Sequence, residues 1–246
     1  HSHTSPHTTA NHEGNIRWRE ILKEAVVNAA EEALGDFAPA KLYMSKGDTT
    51  GFAYVRRCLL ADGTYRMNPR KMHSPIRQES VADPELRVLR MEREGKEDIV
   101  MVSWQSHYGC GGTEMTSDFV HHLRENTEKD LGVKIAYFNG GSANINMIDF
   151  VTRKVGDYAE IGRGLADVVK KALKNETEIE SGSLQINQFD MIGKVKQDPP
   201  ERIAQAKEIL STSGEEQTAL IEKYGFDSIH EAYPTWSRAQ MGKEYI

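Results

Sequence analysis

The residues best suited to chemistry stand at the start, in His1-Ser2-His3-Thr4-Ser5-Pro6-His7, where two imidazoles occupy positions i and i+2. In an extended segment side chains two apart share a face, so His1 and His3 can address one reaction centre at the rim of a sheet. Another histidine stands in a glycine-rich stretch, Ser106-His107-Tyr108-Gly109-Cys110-Gly111-Gly112. Zinc takes three or four N, S or O ligands and, when catalytic, keeps a position open for water whose pKa it lowers to roughly 7. His1 and His107 are the natural nitrogen donors. His3 can stand beside the water and take or return its proton. The pattern is one for metal-assisted hydrolysis, although any one of these histidines taken singly is more often a hydrogen-bonded structural residue. A purification tag is disfavoured because the stretch alternates with Ser, Thr and Pro and leads into an amphipathic segment.

Three further features bear on such a site. Arg56 and Arg57 follow the apolar Phe52-Ala53-Tyr54-Val55, and one of them could hold an oxyanion or a substrate carbonyl; a solvent-exposed pair is the plainer alternative. Asp118 reads as a helix cap or as a carboxylate orienting a histidine, with capping preferred. The Gly140 to Asn146 loop either offers backbone N–H groups to substrate or is a tight turn.

The elements that must position these residues follow from periodicity. Gly14 to Leu34 has helical spacing, with Gly35 and Pro39 ending it. Residues 40–45 read as a strand, 51–57 as an irregular extended segment, and 68–84 as a long surface loop. Residues 86–91 alternate as a strand, Glu94-Gly95-Lys96-Glu97-Asp98 is a turn, and 99–104 is a β-rich run suited to a central strand that delivers His107 at its C-terminal end. A helix is expected from Thr116 to Gly132, a strand over 133–138, a helix over 157–173, a strand over 183–189, and helices over 201–210 and 215–224. The alternation of strands and helices predicts an α/β fold, a single domain over residues 1–246 with a central mixed, largely parallel sheet flanked by helices.

Composition narrows the function class. Acidic residues outnumber basic ones by 37 to 31, and no basic tract interleaved with aromatics occurs, which argues against nucleic acid as a partner. The longest strongly apolar run, Ile99 to Val102, is far short of a membrane span. Cys58 and Cys110 lack metal-site spacing and read as small semi-buried thiols. Composition describes an ordinary soluble protein, and nothing in the chain indicates its compartment or oligomeric state.

These segments, in this order, resemble the neutral (neutral/alkaline, non-lysosomal) ceramidase family of zinc-dependent amidases, which cleave the N-acyl bond of ceramide. His1-Ser2-His3-Thr4-Ser5-Pro6 is similar to the family's His-Thr-His-Ser-Gly-Pro turn, and Val55-Arg56-Arg57 to its Asn-Arg-Arg or Asn-Arg-Ser segment. Val81-Ala82-Asp83-Pro84-Glu85-Leu86 resembles its Val-Asp-Pro-Glu connection. Ser106-His107 and Thr116-Ser117-Asp118-Phe119 resemble its strand-end histidine and Ser-Ala-Asp-Phe helix start.

The resemblance implies that His1 and His107 ligate Zn2+, that His3 is the acid/base partner of the water, and that Arg56 contacts the substrate or transition state. The implied substrate is ceramide or another N-acyl amine, and the implied relatives are commonly exported or membrane-associated. The family's other two ligands, a glutamate and a tyrosine, fall beyond the matched residues, so the chain is expected to be a fragment of the catalytic domain, without its first strand and that ligand region. Two departures stand out. Asn144 occupies the place of an aspartate and Met147 that of a proline, and the residues around Asn11-His12 lack the glycine-aromatic continuation. Asn144 and the unmatched glutamate and tyrosine keep open a non-catalytic ligand-binding or assembly domain with a degenerate metal site, and the hydrophilic average and modest aromatic content keep open a zinc hydrolase of small polar amides or esters.

Overall fold

A computed structural model describes residues 3–6, 8, 12–70, 72–109, 115–180, 185–241 and 244–245. The chain divides into two compact units, His1–Gly182 and Ser183–Ile246.

The first unit is built on a five-stranded sheet of β1 (Ala40–Asp48), β2 (Glu85–Arg93), β3 (Ile99–Trp104), β4 (Lys134–Asn139) and β5 (Thr177–Glu178), in the spatial order β5-β1-β2-β3-β4. The expectation of a largely parallel sheet is corrected here. β5 with β1, β1 with β2, and β2 with β3 are antiparallel, and only β3 with β4 is parallel. Between β2 and β3 the reason is connection length. Residues 94–98 suffice for a hairpin between β2 and β3, whereas a parallel pair needs a crossover of a dozen or more residues. The chain supplies such a crossover between β3 and β4, through helix α2 (Phe119–Leu131).

Alternation along the strands sorts the side chains onto two faces. Leu86, Val88, Val100, Val102, Trp104 and Ile135 point to one face and are buried there with Phe119 and Leu123 of α2 and with Leu165 and Val169 of α3 (Tyr158–Ala172). The opposite face carries Leu42, Met44 and Phe138, all exposed. The helices that cover the sheet thus lie on one face. α1 (Glu13–Gly35) forms where helical spacing predicts it, yet none of its residues is buried, and Ile16, Ile21, Leu22 and Val26 are exposed. No helix among the described residues is long and apolar enough to cross a membrane.

α2 and α3 approach closely at Gly162, where a Cβ would overlap the Phe119 carbonyl oxygen and the His122 Cβ. A backbone oxygen cannot swing aside. Gly162→Ala is therefore expected to destabilise the unit by about 1–3 kcal/mol, read as a lower urea midpoint.

The supposed loop at 68–84 contains a short strand, Pro75–Gln78, paired with Arg57–Leu60, and is pinned from below by Arg153. The Arg153 guanidinium donates to the carbonyls of Pro69 (2.5 Å), Arg70 (2.8 Å) and His73 (3.2 Å). Cys58 is a buried free thiol, and Cys110 lies outside the described residues.

The second unit packs α4 (Pro200–Leu210), α5 (Gly214–Lys223) and α6 (Ile229–Gln240) around Ala206, Ile209, Phe226 and Ala232. α6 escapes a propensity reading because Pro234 lies inside it. The strand expected over 183–189 does not form over the described residues 185–189, where Ile186 and Phe189 are exposed and no neighbouring strand pairs with them. Residues 183 and 184 lie outside the described set.

Asp198 anchors α6 to the segment before α4, accepting from Arg238 Nε (2.9 Å) and from Lys196 Nζ (2.9 Å). Burial alone would raise its pKa, but these two cationic partners outweigh burial and hold it below the usual carboxylate value. A folded-state pKa below the unfolded one adds stability above the unfolded value, about 3.9, and that stability is lost as pH falls through the folded value. Asp198→Asn is accordingly expected to cost about 1.5–3 kcal/mol at neutral pH. The gap between the two proteins should narrow below pH ~4, measured by chemical denaturation across pH.

Candidate active site

The site grows from the one parallel pair in the sheet. Because β3 and β4 run together with Trp104 opposite Asn139, the segments that follow them, 105–109 and 140–146, leave the sheet at the same end. The Trp104 carbonyl accepts from Gly140 N (2.8 Å) and from the Tyr137 hydroxyl (2.9 Å), closing the two exits together. The Asn139 amide joins the Tyr137 hydroxyl (3.1 Å) to the Ser142 hydroxyl (3.0 Å).

The 140–146 loop then presents carbonyls rather than N–H groups. Ser142 O lies 3.1 Å from His107 Nδ1, Ala143 O accepts from the Arg56 guanidinium at 2.6 Å, Asn144 O accepts from Arg56 N at 3.0 Å, and Ile145 O accepts from His107 N at 3.1 Å. Four successive carbonyls thus hold His107 on one side and Arg56 on the other. The short antiparallel pairing of Tyr54–Val55 with Ile145–Asn146 brings Arg56 there. A tight turn is present, with Ile145 N donating to Ser142 O at 3.0 Å, and the carbonyls that hold His107 and Arg56 are additional to it. Its four acceptors carry no side-chain signature, so the pattern was not readable in the residues.

A carbonyl only accepts, so His107 Nδ1 carries the proton and the lone pair is left on Nε2. Burial pushes the His107 imidazole below its ordinary pKa, with Arg56 and His3 adding to the effect and the Ser142 hydrogen bond opposing it. The Arg56 pKa is lowered by burial. Arg56 Nε and Asn144 Oδ1 are buried and have no hydrogen-bond partner among the described residues. Leaving such a group unsatisfied costs about 1–3 kcal/mol.

His3 comes to the same place from the other end of the chain. Its ring centroid lies 5.0 Å from that of His107, with the planes tilted by 33°. The next residue, Thr4, fixes the approach: its hydroxyl donates to Thr116 O (2.7 Å) and its carbonyl accepts from Thr116 N (3.1 Å). Asp118 ties that segment to the His107 loop. One carboxylate oxygen accepts from Phe119 N (2.8 Å), capping α2, and the other accepts from Gly109 N (3.0 Å). Capping was the preferred reading of Asp118, and its link to Gly109 is additional. Asp118 adopts a φ of 57°, a left-handed conformation in which few non-glycine residues sit.

Three of the expected site residues, His3, Arg56 and His107, therefore converge. His1 lies outside the described residues. Arg57 does not join them; it is exposed, pairs with Glu79 (3.2 Å) and lies over the Tyr65 ring. A cavity of about 540 Å³ is lined by Thr4 and Tyr108, which adjoin His3 and His107 in the chain, and by Trp18, Met115, Val120 and Tyr137, but by neither histidine. Tyr108 stacks on Phe119 at 5.2 Å, and burial pushes its phenol up to about 12. None of these wall residues carried a chemical signal in the sequence. A larger cleft of about 750 Å³, lined by Tyr54, Gln78 and Asp149 among others, is lined by neither histidine. Among the described residues, the group of three metal-ligating side chains close enough to share one ion lies elsewhere, at His121, His122 and Glu125 of α2.

The class so defined is a mixed α/β domain with a mostly antiparallel five-stranded sheet and a histidine pair beyond the strand ends. No family model matches the chain, and no curated protein matches it in sequence. Among solved structures it is similar to part of a ceramidase complexed with C2, with a TM-score of 0.44 and 14% identity over 58% of this chain and 24% of that one. It is likewise similar to part of the neutral ceramidase from Pseudomonas aeruginosa, with a TM-score of 0.45 and 14% identity over 61% of this chain and 25% of that one. The chain spans about a quarter of the length of these proteins.

Proposed function

We propose that this chain is part of a zinc-dependent hydrolase of linear amides, acting on ceramide or another N-acyl amine and releasing fatty acid and amine. The observation that carries the reading is the meeting of His3 and His107 at 5.0 Å beside Arg56, from three segments far apart in the chain. The orientation of His107 suits zinc ligation. His107 has its Nδ1–H on a backbone carbonyl, which is how proteins orient a metal-ligating imidazole and hold its other nitrogen as the donor. His107, with His1, would hold the ion, and a zinc ion so held polarises an amide carbonyl and acidifies water.

The chain's own residues do the rest. His3 takes a proton from the attacking water and returns it to the leaving amine, work suited to an imidazole near neutral pH. Arg56, its guanidinium held by Ala143 O, would contact the substrate carbonyl as charge develops on its oxygen. The cavity walled by Trp18, Tyr108, Met115 and Val120 offers an apolar wall to an acyl chain.

The test is hydrolysis of N-acyl amines of graded acyl length by the full-length protein, with and without a zinc chelator. Turnover that needs zinc and improves with acyl length supports the reading. Preference for the shortest acyl groups would move it to small polar amides. A second reading, a ligand-binding domain without catalysis, draws on Asn144, whose Oδ1 is buried with no hydrogen-bond partner among the described residues, where the resembling family has a carboxylate. Zinc-independent ligand binding with no turnover on any substrate would favour it.

A further inference from the structure

Helix α2 carries a second constellation that the proposed hydrolytic site does not use. His121, His122 and Glu125 stand at i, i+1 and i+4, and one ligand atom of each lies within 4.8 Å of the other two. His121 Nε2 is 3.7 Å from a Glu125 carboxylate oxygen, and His122 Nδ1 is 4.0 Å from the same oxygen. Zinc–nitrogen and zinc–oxygen bonds run about 2.0–2.2 Å, so two donors on one tetrahedral ion stand roughly 3.4 Å apart. The two histidine–carboxylate spacings exceed that by roughly 0.3 and 0.6 Å, and side-chain torsions on a helix surface can bring the three donors together.

We propose that His121, His122 and Glu125 form a surface binding site for a divalent transition metal of the zinc, copper or nickel class, independent of His3 and His107. The donor chemistry selects that class. Two imidazoles and one carboxylate suit these ions, whereas calcium and magnesium call for shells of oxygen. The geometry is half prepared. His122 is the least exposed of the three, with its ring against Tyr158 at 5.7 Å and its Cβ against Gly162. His121 and Glu125 are exposed, so they can close on an ion while water completes its shell.

An ion bridging i and i+4 also clamps the early turns of α2, whose first residue is capped by the Asp118 carboxylate that accepts from Gly109 N. Metal binding should therefore raise the unfolding temperature of the chain. The experiment is equilibrium dialysis against zinc chloride, with thermal unfolding alongside, on the full chain and on His121→Ala, Glu125→Gln, their double variant and His107→Ala. Because His121 and Glu125 are exposed, their replacement leaves the packing intact, which circular dichroism checks.

The expected result is one zinc equivalent bound at least tenfold more weakly in each single variant and lost in the double variant, but kept in His107→Ala. The zinc-induced rise in unfolding temperature should vanish with it. An unchanged zinc isotherm in the double variant would overturn the proposal. So would loss of that equivalent in His107→Ala with retention in the double variant. Neither result bears on whether the His107 centre hydrolyses amides.

Discussion

Under the proposed assignment, His107→Ala should abolish zinc-dependent amide hydrolysis while leaving the fold nearly intact. The substitution removes a nitrogen donor together with its hydrogen bond to Ser142 O. Loss of a partner that merely orients a ligand costs about 10–100-fold in metal affinity or activity, and loss of the ligand itself should exceed that. The structural cost is small by comparison, since a neutral hydrogen bond contributes about 0.5–1.5 kcal/mol net. His3→Ala provides the contrast: as a proton carrier it should leave bound zinc unchanged and lower kcat by about 10²–10⁴-fold. Zinc content by elemental analysis and turnover on one N-acyl amine, measured on both variants, check the pair. Retained zinc and full turnover in His107→Ala would sink the assignment.

Trp104→Ala should bring the first unit close to unfolding. The indole is buried, its Nε1–H donates to Thr49 Oγ1 at 2.8 Å, and its ring meets Phe119 edge-on at 5.4 Å. Truncating a buried aromatic to alanine costs about 3–5 kcal/mol, against a total of about 5–15 kcal/mol for a typical domain. Thr49 also donates to Pro84 O at 2.8 Å, so the change loosens the start of β2 as well. Urea denaturation should show the midpoint fall sharply for Trp104→Ala and much less for Trp104→Phe, which keeps most of the volume and loses the N–H. A loss under about 1 kcal/mol in the alanine variant would contradict the cavity cost expected for a site this buried. Trp104 stands three residues before His107, so this stability is also what holds the candidate site in place.

The local elements were legible because they follow from period alone. The 3.6-residue spacing of α1 and α3 and the runs at 86–91, 99–104 and 133–138 all appear close to where they were expected. His107 beyond the end of a buried strand was legible for the same reason, and Asp118 as a cap followed from its type and its place before Phe119. α6 was not, because a proline inside a helix reads as a break. The strand expected at 183–189 fails over its described residues because alternation is necessary for a strand but supplies no neighbour to pair with.

Strand direction was partly present in the residues: the five-residue turn at 94–98 permits only an antiparallel pair, and it outweighs the alternation of strands and helices that suggested a largely parallel sheet. His1, His3 and His107 could be named as candidates from type and spacing, since imidazole chemistry is a property of the side chain, whereas Arg56 was singled out from Arg57 only by the family resemblance. Their relation could not be read in the same way. The carbonyls of residues 142–145 that hold His107 and Arg56, and the Thr4–Thr116 bracket that brings His3 to them, are backbone contacts between segments remote in the chain. Every residue carries the same carbonyl. Composition and period therefore determined which elements form and which side chains are chemically able, and only the tertiary structure decided which of them meet, because backbone acceptors acquire identity only through where the fold puts them.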